Sequence, residues 1–205
     1  MRVVPNGIHV ARFASAAPAA RSALGVPDGA PLAAVVGLVY EAKGQDLAVE
    51  ALARPGCAAL HVLFAGEGDR RADYERRARE LGVAERAHFL GWREDVPALL
   101  KASDFLLLPS RWEGLPYIVL EAFAAGRPVV AARVDGTRDL VREGETGFGA
   151  AVGDAGELAA AAARMIAAGP DERRRMGAAG RELVRAGYSV EAMVRGMCAV
   201  YEELA

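Results

Sequence analysis

The sequence predicts an α/β fold: a Rossmann-like parallel sheet with helices on both faces, in three layers. Short apolar runs alternate with amphipathic stretches along most of the chain, which is the rhythm of βαβ units. The apolar runs are nearly continuous, and strands of that kind are buried on both faces of a sheet. A chain of 205 residues has the size of one such domain.

Five strands are predicted in order, each followed by a helical pattern or a turn. The strands cover residues 32–37, 60–65, 87–90, 105–109 and 128–132. The helices between them cover residues 44–53, 69–81, 94–101 and 116–125. Residues 11–31, rich in Ala and Pro, are predicted to be a loop and linker, with a short helix at 19–24 as an alternative.

The segment beyond residue 155 is predicted to be helical, with breaks at Gly169-Pro170 and at Gly187. Its last helix, 190–204, has a stripe of apolar residues, namely Val190, Met193, Val194, Met197, Val200 and Tyr201. One interpretation is that this stripe packs on the chain's own sheet.

Composition excludes several classes of protein. The net charge of −2 and the scattered arginines argue against a nucleic-acid-binding protein. Cys57 and Cys198 are too few for a disulfide framework or a zinc site, so a reducing, cytoplasmic setting is expected. No apolar run approaches the length that spans a bilayer, so any membrane contact would be peripheral, at the inner membrane face.

The segment from Ser110 to Glu121 is the most informative part of the sequence. A helix is expected to begin near Pro116, with the backbone N–H groups of Tyr117 and Ile118 free to hold a phosphate oxygen. Glu113 and Glu121 lie on either side of this turn, at most about 12 Å apart along a helix. Because carboxylates accept hydrogen bonds from hydroxyl groups, the pair suits the two ends of a nucleotide-sugar.

Five segments in this order resemble the donor-site motifs of retaining glycosyltransferases of the GT-B fold, family 4. They are Val4-Pro-Asn-Gly-Ile8, Val36-Gly-Leu-Val-Tyr-Glu-Ala-Lys-Gly44, Phe64-Ala-Gly-Glu-Gly68, Phe89-Leu-Gly-Trp92 and the Glu113 to Glu121 segment. A single Glu pair or Gly-x-Gly would be weak evidence, but five ordered matches are specific. They cover nearly the whole chain.

The resemblance implies that this chain is the C-terminal, donor-binding half of a two-domain enzyme. Residues 1–31 would be the hinge segment and entry loop, and residues 32–188 the Rossmann-like domain that binds the nucleotide-sugar. Residues 189–205 would form a helix that crosses to a missing N-terminal acceptor domain, present in cis or in trans. That crossing is the alternative to a last helix packed on its own sheet.

Four of the five matched motifs follow a predicted strand, and parallel sheets bind ligands beyond the carboxyl ends of their strands. By resemblance, Lys43 and Glu113 are the candidate catalytic residues. The candidate donor-binding residues are Gly37, Gly66, Glu67, Gly68, Trp92, Arg93, Ser110, Gly114, Leu115, Pro116, Tyr117 and Glu121.

The resemblance also implies the role of the main side chains. Lys43 would stabilise negative charge on the leaving diphosphate, Glu113 would hold sugar hydroxyls and Glu121 the ribose diol. The family usually has an arginine after the first glycine, where this chain has Leu38; Arg111 is a candidate substitute. Ser110 is either a hydroxyl partner for phosphate or an N-cap, and Gly66 and Gly68 are either contact or plain turn glycines.

No metal site is predicted, because His9, His61 and His88 lack metal-ligand spacing and no Asp-x-Asp pair occurs. We therefore expect no cofactor beyond a UDP- or GDP-linked sugar as substrate. The expected function is hexosyl transfer to an acceptor hydroxyl, with the isolated domain inactive. The alternative is a non-catalytic nucleotide-sugar-binding subunit or sensor that docks a separate partner. A phosphate-responsive module is disfavoured, since Asp104 precedes its strand.

Overall fold

The computed structural model describes residues 2–204. One sheet of six parallel strands runs through the molecule, in the order β3-β2-β1-β4-β5-β6. The strands are β1 (Leu32–Val36), β2 (His61–Ala65), β3 (Ala87–Gly91), β4 (Phe105–Leu108), β5 (Val129–Ala132) and β6 (Gly147–Ala150). The predicted α/β class, a Rossmann-like parallel sheet between helical layers, is confirmed.

The helices follow the strands as expected for βαβ units. In residues 2–204 they are α1 (Val10–Ala14), α2 (Gln45–Leu52), α3 (Arg71–Glu80), α4 (Val96–Ala102), α5 (Tyr117–Ala124), α6 (Asp135–Arg138), α7 (Ala155–Ala167), α8 (Gly169–Gly187) and α9 (Val190–Leu204). The breaks predicted near Gly169 and at Gly187 are both present.

Successive side chains along a strand pack into two different cores, one on each face of the sheet. Both faces are therefore covered by helices. In β1, Ala33 and Val35 pack into the core beneath α2, α3 and α7, whereas Ala34 packs into the core beneath α1, α5 and α8. In β4, Leu107 belongs to the first core and Leu106 to the second. This two-sided burial is why β1, β4 and β5 consist entirely of apolar residues.

Three elements were missed by the sequence prediction, namely β6, α1 and the short helix α6. The strand β6 has the sequence Gly-Phe-Gly-Ala, which carries little strand signal, yet it pairs with β5 in register. A Cβ on Gly147 would lie 1.8 Å from the Val129 carbonyl oxygen, so the close approach requires glycine. Helix α1 lies in the predicted linker and is held there by the buried Phe13.

The N-terminal segment and α9 lie against each other at the edge of the domain. The Ile8 amide donates to the Tyr188 carbonyl (2.8 Å), and the Val190 amide donates to the Ile8 carbonyl (3.1 Å). No residue of α9 within its described part is buried, and Met197 and Tyr201 are exposed. The interpretation that the α9 stripe packs on the chain's own sheet is therefore wrong.

Candidate functional site

The candidate site lies where the strand order reverses, between β1 and β4. In open parallel sheets the loops that leave two such strands diverge to opposite faces and open a crevice at their carboxyl ends. Here a cleft of about 440 Å³ lies between these loops, and its lining residues are Val36, Gly37, Leu38, Tyr40, Lys43, Val96, Glu113, Leu115, Pro116, Tyr117, Ile118 and Glu121.

A second depression of about 260 Å³ continues the cleft toward β2 and β3. Its lining residues are Val36, Gly37, Leu38, Ala65, Gly66, Trp92, Arg93 and Val96. Because Val36, Gly37, Leu38 and Val96 line both parts, the loops after β1, β2, β3 and β4 border one continuous groove. The predicted convergence of these loops is thus present in the structure.

Glu113 is held by two donors at the floor of the cleft. Lys43 Nζ lies 2.7 Å from Glu113 Oε1, and Ser110 Oγ donates to the same oxygen at 2.7 Å. The Glu113 side chain is only 8% exposed, whereas that of Lys43 is 26% exposed. Within residues 2–204, Glu113 Oε2 accepts no hydrogen bond, so one carboxylate oxygen is fixed and the other is free for a ligand.

Ser110 differs from both of its predicted roles. Its side chain is fully buried and does not line the cleft, and its hydroxyl bonds to Glu113 rather than capping a helix. Ser110 therefore positions the Glu113 carboxylate. Gly136 supports the same segment, because its amide donates to the Glu113 carbonyl at 3.1 Å.

Glu121 is on α5, one turn beyond the cleft end of that helix, and its side chain is partly buried. Burial raises the pKa of this carboxyl above its usual value of 4.5, and the charge of Arg12 opposes the shift. No hydrogen bond to its side chain is made within residues 2–204. A carboxylate that loses water without gaining a donor is costly to the fold and is typical of a binding position.

The N-terminus of α5 opens into the cleft, although Pro116 precedes the helix rather than starting it. Pro116 has φ −73° and ψ 101° and is the N-cap residue. In residues 2–204, neither the Tyr117 amide nor the Ile118 amide donates a hydrogen bond, whereas the Val119 amide bonds to the Pro116 carbonyl at 3.0 Å. Two free N–H groups at a helix N-terminus form an anion-binding position.

Two glycines shape the backbone beside this position. Gly37 has φ 145° and Gly66 has φ 151°, conformations that side chains disfavour. A Cβ on Gly66 would lie 1.9 Å from the Gly37 carbonyl oxygen, whereas a Cβ on Gly37 would meet no atom within 4 Å. Gly66 therefore permits a close approach of two loops, and Gly37 leaves the floor of the groove open.

The arginines near the cleft are already paired with carboxylates. Arg93 makes two hydrogen bonds of 2.7 Å to Asp95. Arg111, the candidate substitute for the arginine absent at Leu38, makes hydrogen bonds of 2.9 and 2.6 Å to Asp46 and faces away from the cleft lining. This pairing does not support Arg111 as a replacement for the missing cation, and Lys43 is the one Lys or Arg among the described residues that line the cleft.

The remaining predicted residues divide into two groups. Leu115, Pro116, Tyr117, Trp92 and Arg93 line the groove as expected. Glu67, Gly68 and Gly114 do not line it: Glu67 pairs with Arg71, a Cβ on Gly68 would lie 2.1 Å from the Val39 carbonyl oxygen, and Gly114 packs against Gly136. Their direct contact with a ligand is thus not supported by this geometry.

Apart from Leu38, four lining residues were not named as site candidates, namely Val36, Tyr40, Ala65 and Val96. Val36 and Ala65 directly precede the predicted Gly37 and Gly66, and Tyr40 lies three residues before the predicted Lys43, so proximity in sequence was the available signal. Val96 starts α4 and carried no such signal.

The histidines form no metal centre. Among residues 2–204, no group of three or more His, Cys, Asp and Glu side chains is placed to hold a metal ion. His61 and His88 stack with ring centroids 5.2 Å apart, and His61 Nδ1 lies 2.9 Å from His88 Nε2. Within the same residues, no helix combines the length and apolar character needed to cross a membrane.

Comparison with known proteins places this fold and cleft in a family. Residues 17–183 match the family model described as glycosyl transferases group 1. The chain is 35% identical over 174 residues to the lipopolysaccharide core biosynthesis glycosyltransferase LpsE of Rhizobium meliloti, covering 84% of this chain and 50% of that protein. It is 32% identical to the mannosyltransferase LpsB of the same organism over 222 residues, covering 98% of this chain and 60% of LpsB.

A solved structure agrees with these relatives. The sucrose-phosphate synthase of Thermosynechococcus elongatus superposes with a TM-score of 0.86 at 30% identity, covering 99% of this chain and 52% of that one. The chain therefore spans about half the length of the relatives it matches.

Proposed function

Because the chain belongs to the glycosyl transferases group 1 family, we propose that it is the nucleotide-sugar-binding half of a retaining glycosyltransferase. The complete enzyme transfers a hexosyl unit from a nucleoside diphosphate sugar to an acceptor hydroxyl. One observation carries this proposal: Lys43, Glu113, Glu121 and the free amides of α5 meet in one cleft at the β1/β4 switch point.

The diphosphate binds at the N-terminus of α5. The free amides of Tyr117 and Ile118 donate to its oxygens, and the partial positive charge of the helix end favours an anion there. Lys43 adds a full charge beside these amides. Because negative charge grows on the diphosphate as the sugar leaves, these fixed groups lower the barrier more than they strengthen ground-state binding.

Glu113 holds the sugar and Lys43 orients it. With Oε1 engaged by Lys43 and Ser110, the plane of the carboxylate is fixed and Oε2 accepts a hydrogen bond from a sugar hydroxyl. The same contact keeps the Lys43 ammonium at the boundary between sugar and diphosphate. A pre-oriented pair of this kind reduces the entropy that must be lost when the donor binds.

Glu121 accepts hydrogen bonds from the ribose diol at the other end of the donor. Its partly buried carboxylate lacks donors in the described residues, so two vicinal hydroxyls replace the hydrogen bonds that burial removed. The base then lies along the second part of the groove, against Gly66, Trp92 and Arg93. A UDP- or GDP-linked sugar satisfies this arrangement, and no metal or other cofactor is required.

The acceptor comes from outside this chain. An N-terminal acceptor domain, in cis or in trans, closes over the cleft, and the exposed stripe of α9 packs on it. The acceptor hydroxyl attacks the face that the diphosphate leaves, and a diphosphate oxygen takes its proton, which retains the anomeric configuration. We place this reaction in the cytoplasm, including the inner face of the membrane.

Calorimetric titration with UDP, GDP and ADP and their sugars tests the proposal. The wild-type chain is expected to bind one nucleotide diphosphate weakly and to release no sugar. Glu121→Gln is expected to lose about tenfold or more in affinity, the value of a charge-assisted hydrogen bond. Glu202→Gln, on the exposed end of α9, is the matched control. Equal affinity in both variants, or rapid transfer by this chain alone, contradicts the proposal.

One observation favours a second function, a nucleotide-sugar-binding subunit without catalysis. Leu38 lines both parts of the groove and is 58% exposed, so an apolar side chain occupies a position next to the diphosphate. A site with one cation would hold a donor yet stabilise its departure poorly. Nucleotide-sugar binding that persists with an N-terminal half but without transfer would support this function.

A further inference from the structure

A cluster of basic side chains lies at the edge of the sheet opposite the cleft. Asp104 precedes β4 and Arg127 precedes β5, whereas the cleft residues follow their strands. A small cavity of about 80 Å³ opens there, lined by Arg127, Arg173 and Arg174 together with Asp104 and Pro170. The cavity is therefore separate from the groove that the proposed function uses.

Arg127 is partly buried, and one nitrogen of its side chain lacks a partner in this cluster. Its Nη2 donates to the Lys101 carbonyl at 2.7 Å, but its Nε is buried and has no acceptor. No carboxylate of residues 2–204 lies within ion-pair distance of it. An unpaired buried donor in a folded protein calls for an explanation, and a bound ion is one of the standard ones.

Burial lowers the pKa of Arg127, and the charges of Arg21, Arg181 and Arg173 lower it further, while Asp104 alone among the described carboxylates opposes them. Lys101 is affected in the same direction, first by burial and then by Arg181 and Arg127. Positive charge is therefore concentrated around Asp104, whereas the cavity-lining Arg174 is paired with Asp171.

The negative C-terminal ends of three helices offset part of this positive charge. Arg21, Arg173 and Arg181 donate to carbonyls in the last turns of α4, α7 and α5, and each helix end carries roughly half a negative charge. Asp104 supplies one more and is already paired with Arg21 at 3.2 Å. Arg173 also lies 3.9 Å from Asp104. With Lys101 and Arg127 included, an excess of about two and a half positive charges remains, and the N-terminus of α8 adds to it.

The cavity has the size of a tetrahedral oxyanion. A water-sized group needs about 10–15 Å³ by this measure, so 80 Å³ accommodates roughly five to eight such groups, enough for the heavy atoms of a phosphate ion. Pro170, in the first turn of the 19-residue helix α8, lines the same cavity, so the positive end of that helix is directed to it.

We propose that this cavity is a second, independent anion site that binds a phosphate-sized oxyanion between Arg127, Arg173 and Arg174. The anion supplies the charge that Asp104 alone does not provide, and it joins the α5–β5 turn to the start of α8. Its source is either inorganic phosphate or the phosphate group of a monoester. The proposal does not depend on the proposed function.

Phosphate titration of the 205-residue chain, with chloride at equal ionic strength as reference, tests this site. We expect a saturable rise in Tm and shifts of the Gly126 and Arg127 amide resonances. Glycerol phosphate replaces inorganic phosphate in a second series; equal affinity identifies a monoester site, and loss of binding identifies inorganic phosphate as the ligand. Lys43→Ala, which alters the cleft, should leave these shifts unchanged.

Arg127→Gln and Arg174→Gln should each weaken phosphate binding about tenfold or more, because each removes a charge-assisted contact. Arg79→Gln, an exposed arginine of α3, is the matched control. Should Arg127→Gln fail to fold, Arg174→Gln decides, since that side chain is 69% exposed. The proposal is overturned by equal phosphate affinity in Arg174→Gln and Arg79→Gln, or by shifts confined to the Tyr117 and Ile118 amides.

Discussion

Lys43 Nζ lies 2.7 Å from Glu113 Oε1, so the cation and the most buried acid of the cleft form an ion pair. The two residues are 70 positions apart and follow different strands, β1 and β4. The sequence assigned them separate roles, in charge stabilisation and in sugar binding. The structure joins the two roles, because moving either side chain changes the orientation of the other.

Replacing Lys43 by Ala should weaken binding of a nucleoside diphosphate by about tenfold to a hundredfold, the value of one charged contact. The fold should also lose about 1–3 kcal/mol, since the buried Glu113 carboxylate keeps only Ser110 as a donor. Calorimetry and urea unfolding measure the two effects.

The double variant Lys43→Ala/Glu113→Gln tests whether the loss of stability in Lys43→Ala comes from the unpaired Glu113 carboxylate. If the ion pair is the reason for the lost stability, neutralising Glu113 should restore most of it without restoring affinity. Strictly additive losses in the two single variants would show that the side chains act independently.

Glu121→Gln should stabilise the protein near neutral pH. Burial raises the pKa of Glu121 above 4.5, so the folded state binds this proton more tightly than the unfolded state does. The loss of folding stability caused by ionising Glu121 begins as pH rises through 4.5 and reaches its full value above the pKa of the folded state. Urea unfolding of both proteins near pH 7 should therefore favour the variant, and the difference should vanish near pH 3.

An increase in stability combined with a loss of nucleotide affinity in Glu121→Gln would mark Glu121 as a residue kept for binding. Lower stability than wild type near neutral pH would instead mean that the carboxylate contributes to the fold.

The His61–His88 pair should make the fold sensitive to mild acid. Burial lowers the pKa of both rings below 6.5; Arg86 lowers that of His61 further, and His61 lowers that of His88. The unfolded chain then binds more protons, so stability falls as pH drops through 6.5 toward the lower folded values. His88→Phe keeps a stacked ring and should flatten this dependence in urea unfolding.

His9→Gln is the control for that experiment, because His9 is exposed and lies outside the stacked pair. Equal slopes of stability against pH in wild type and His88→Phe would show that other groups cause the acid sensitivity.

Gly66→Ala should destabilise the fold more than Gly37→Ala, although both backbones have a φ near 150°. Both variants bear a conformational cost of about 1–3 kcal/mol, but only the Gly66 Cβ would also collide with a carbonyl oxygen, at 1.9 Å. Urea unfolding measures the free energy of unfolding of both variants. The loss in Gly37→Ala reports backbone strain alone, and the loss in Gly66→Ala reports strain together with the collision. A smaller loss in Gly66→Ala would mean that the two loops separate easily.

Leu38→Arg should increase affinity for a nucleoside diphosphate by about tenfold, because it places a second cation beside Lys43 in the groove. Leu38→Gln, of similar length and without charge, is the control. Unchanged affinity in the arginine variant would place the diphosphate away from Leu38.

Much of the fold could be predicted from the sequence, because buried parallel strands and their helices leave a strong apolar rhythm. The five predicted strands agree with β1 to β5 to within a residue or two. The sixth was missed because β6 is stabilised by its pairing with β5 rather than by its own residues, two of which are glycine. Helix α1 was missed for a similar reason, since packing of Phe13 holds a segment that is too short to be stable alone.

The fold class, the segment that bears Glu113 and Glu121, and the family resemblance could all be inferred without coordinates, since local patterns and motif spacing carry that information. The partner of each charge follows from the tertiary structure: within residues 2–204, Lys43 pairs with Glu113, Arg111 pairs with Asp46, and Arg127 pairs with no carboxylate. Such pairings depend on side-chain directions across different strands. Residues far apart in the chain meet only after the sheet has formed, and no linear pattern records the distance between them.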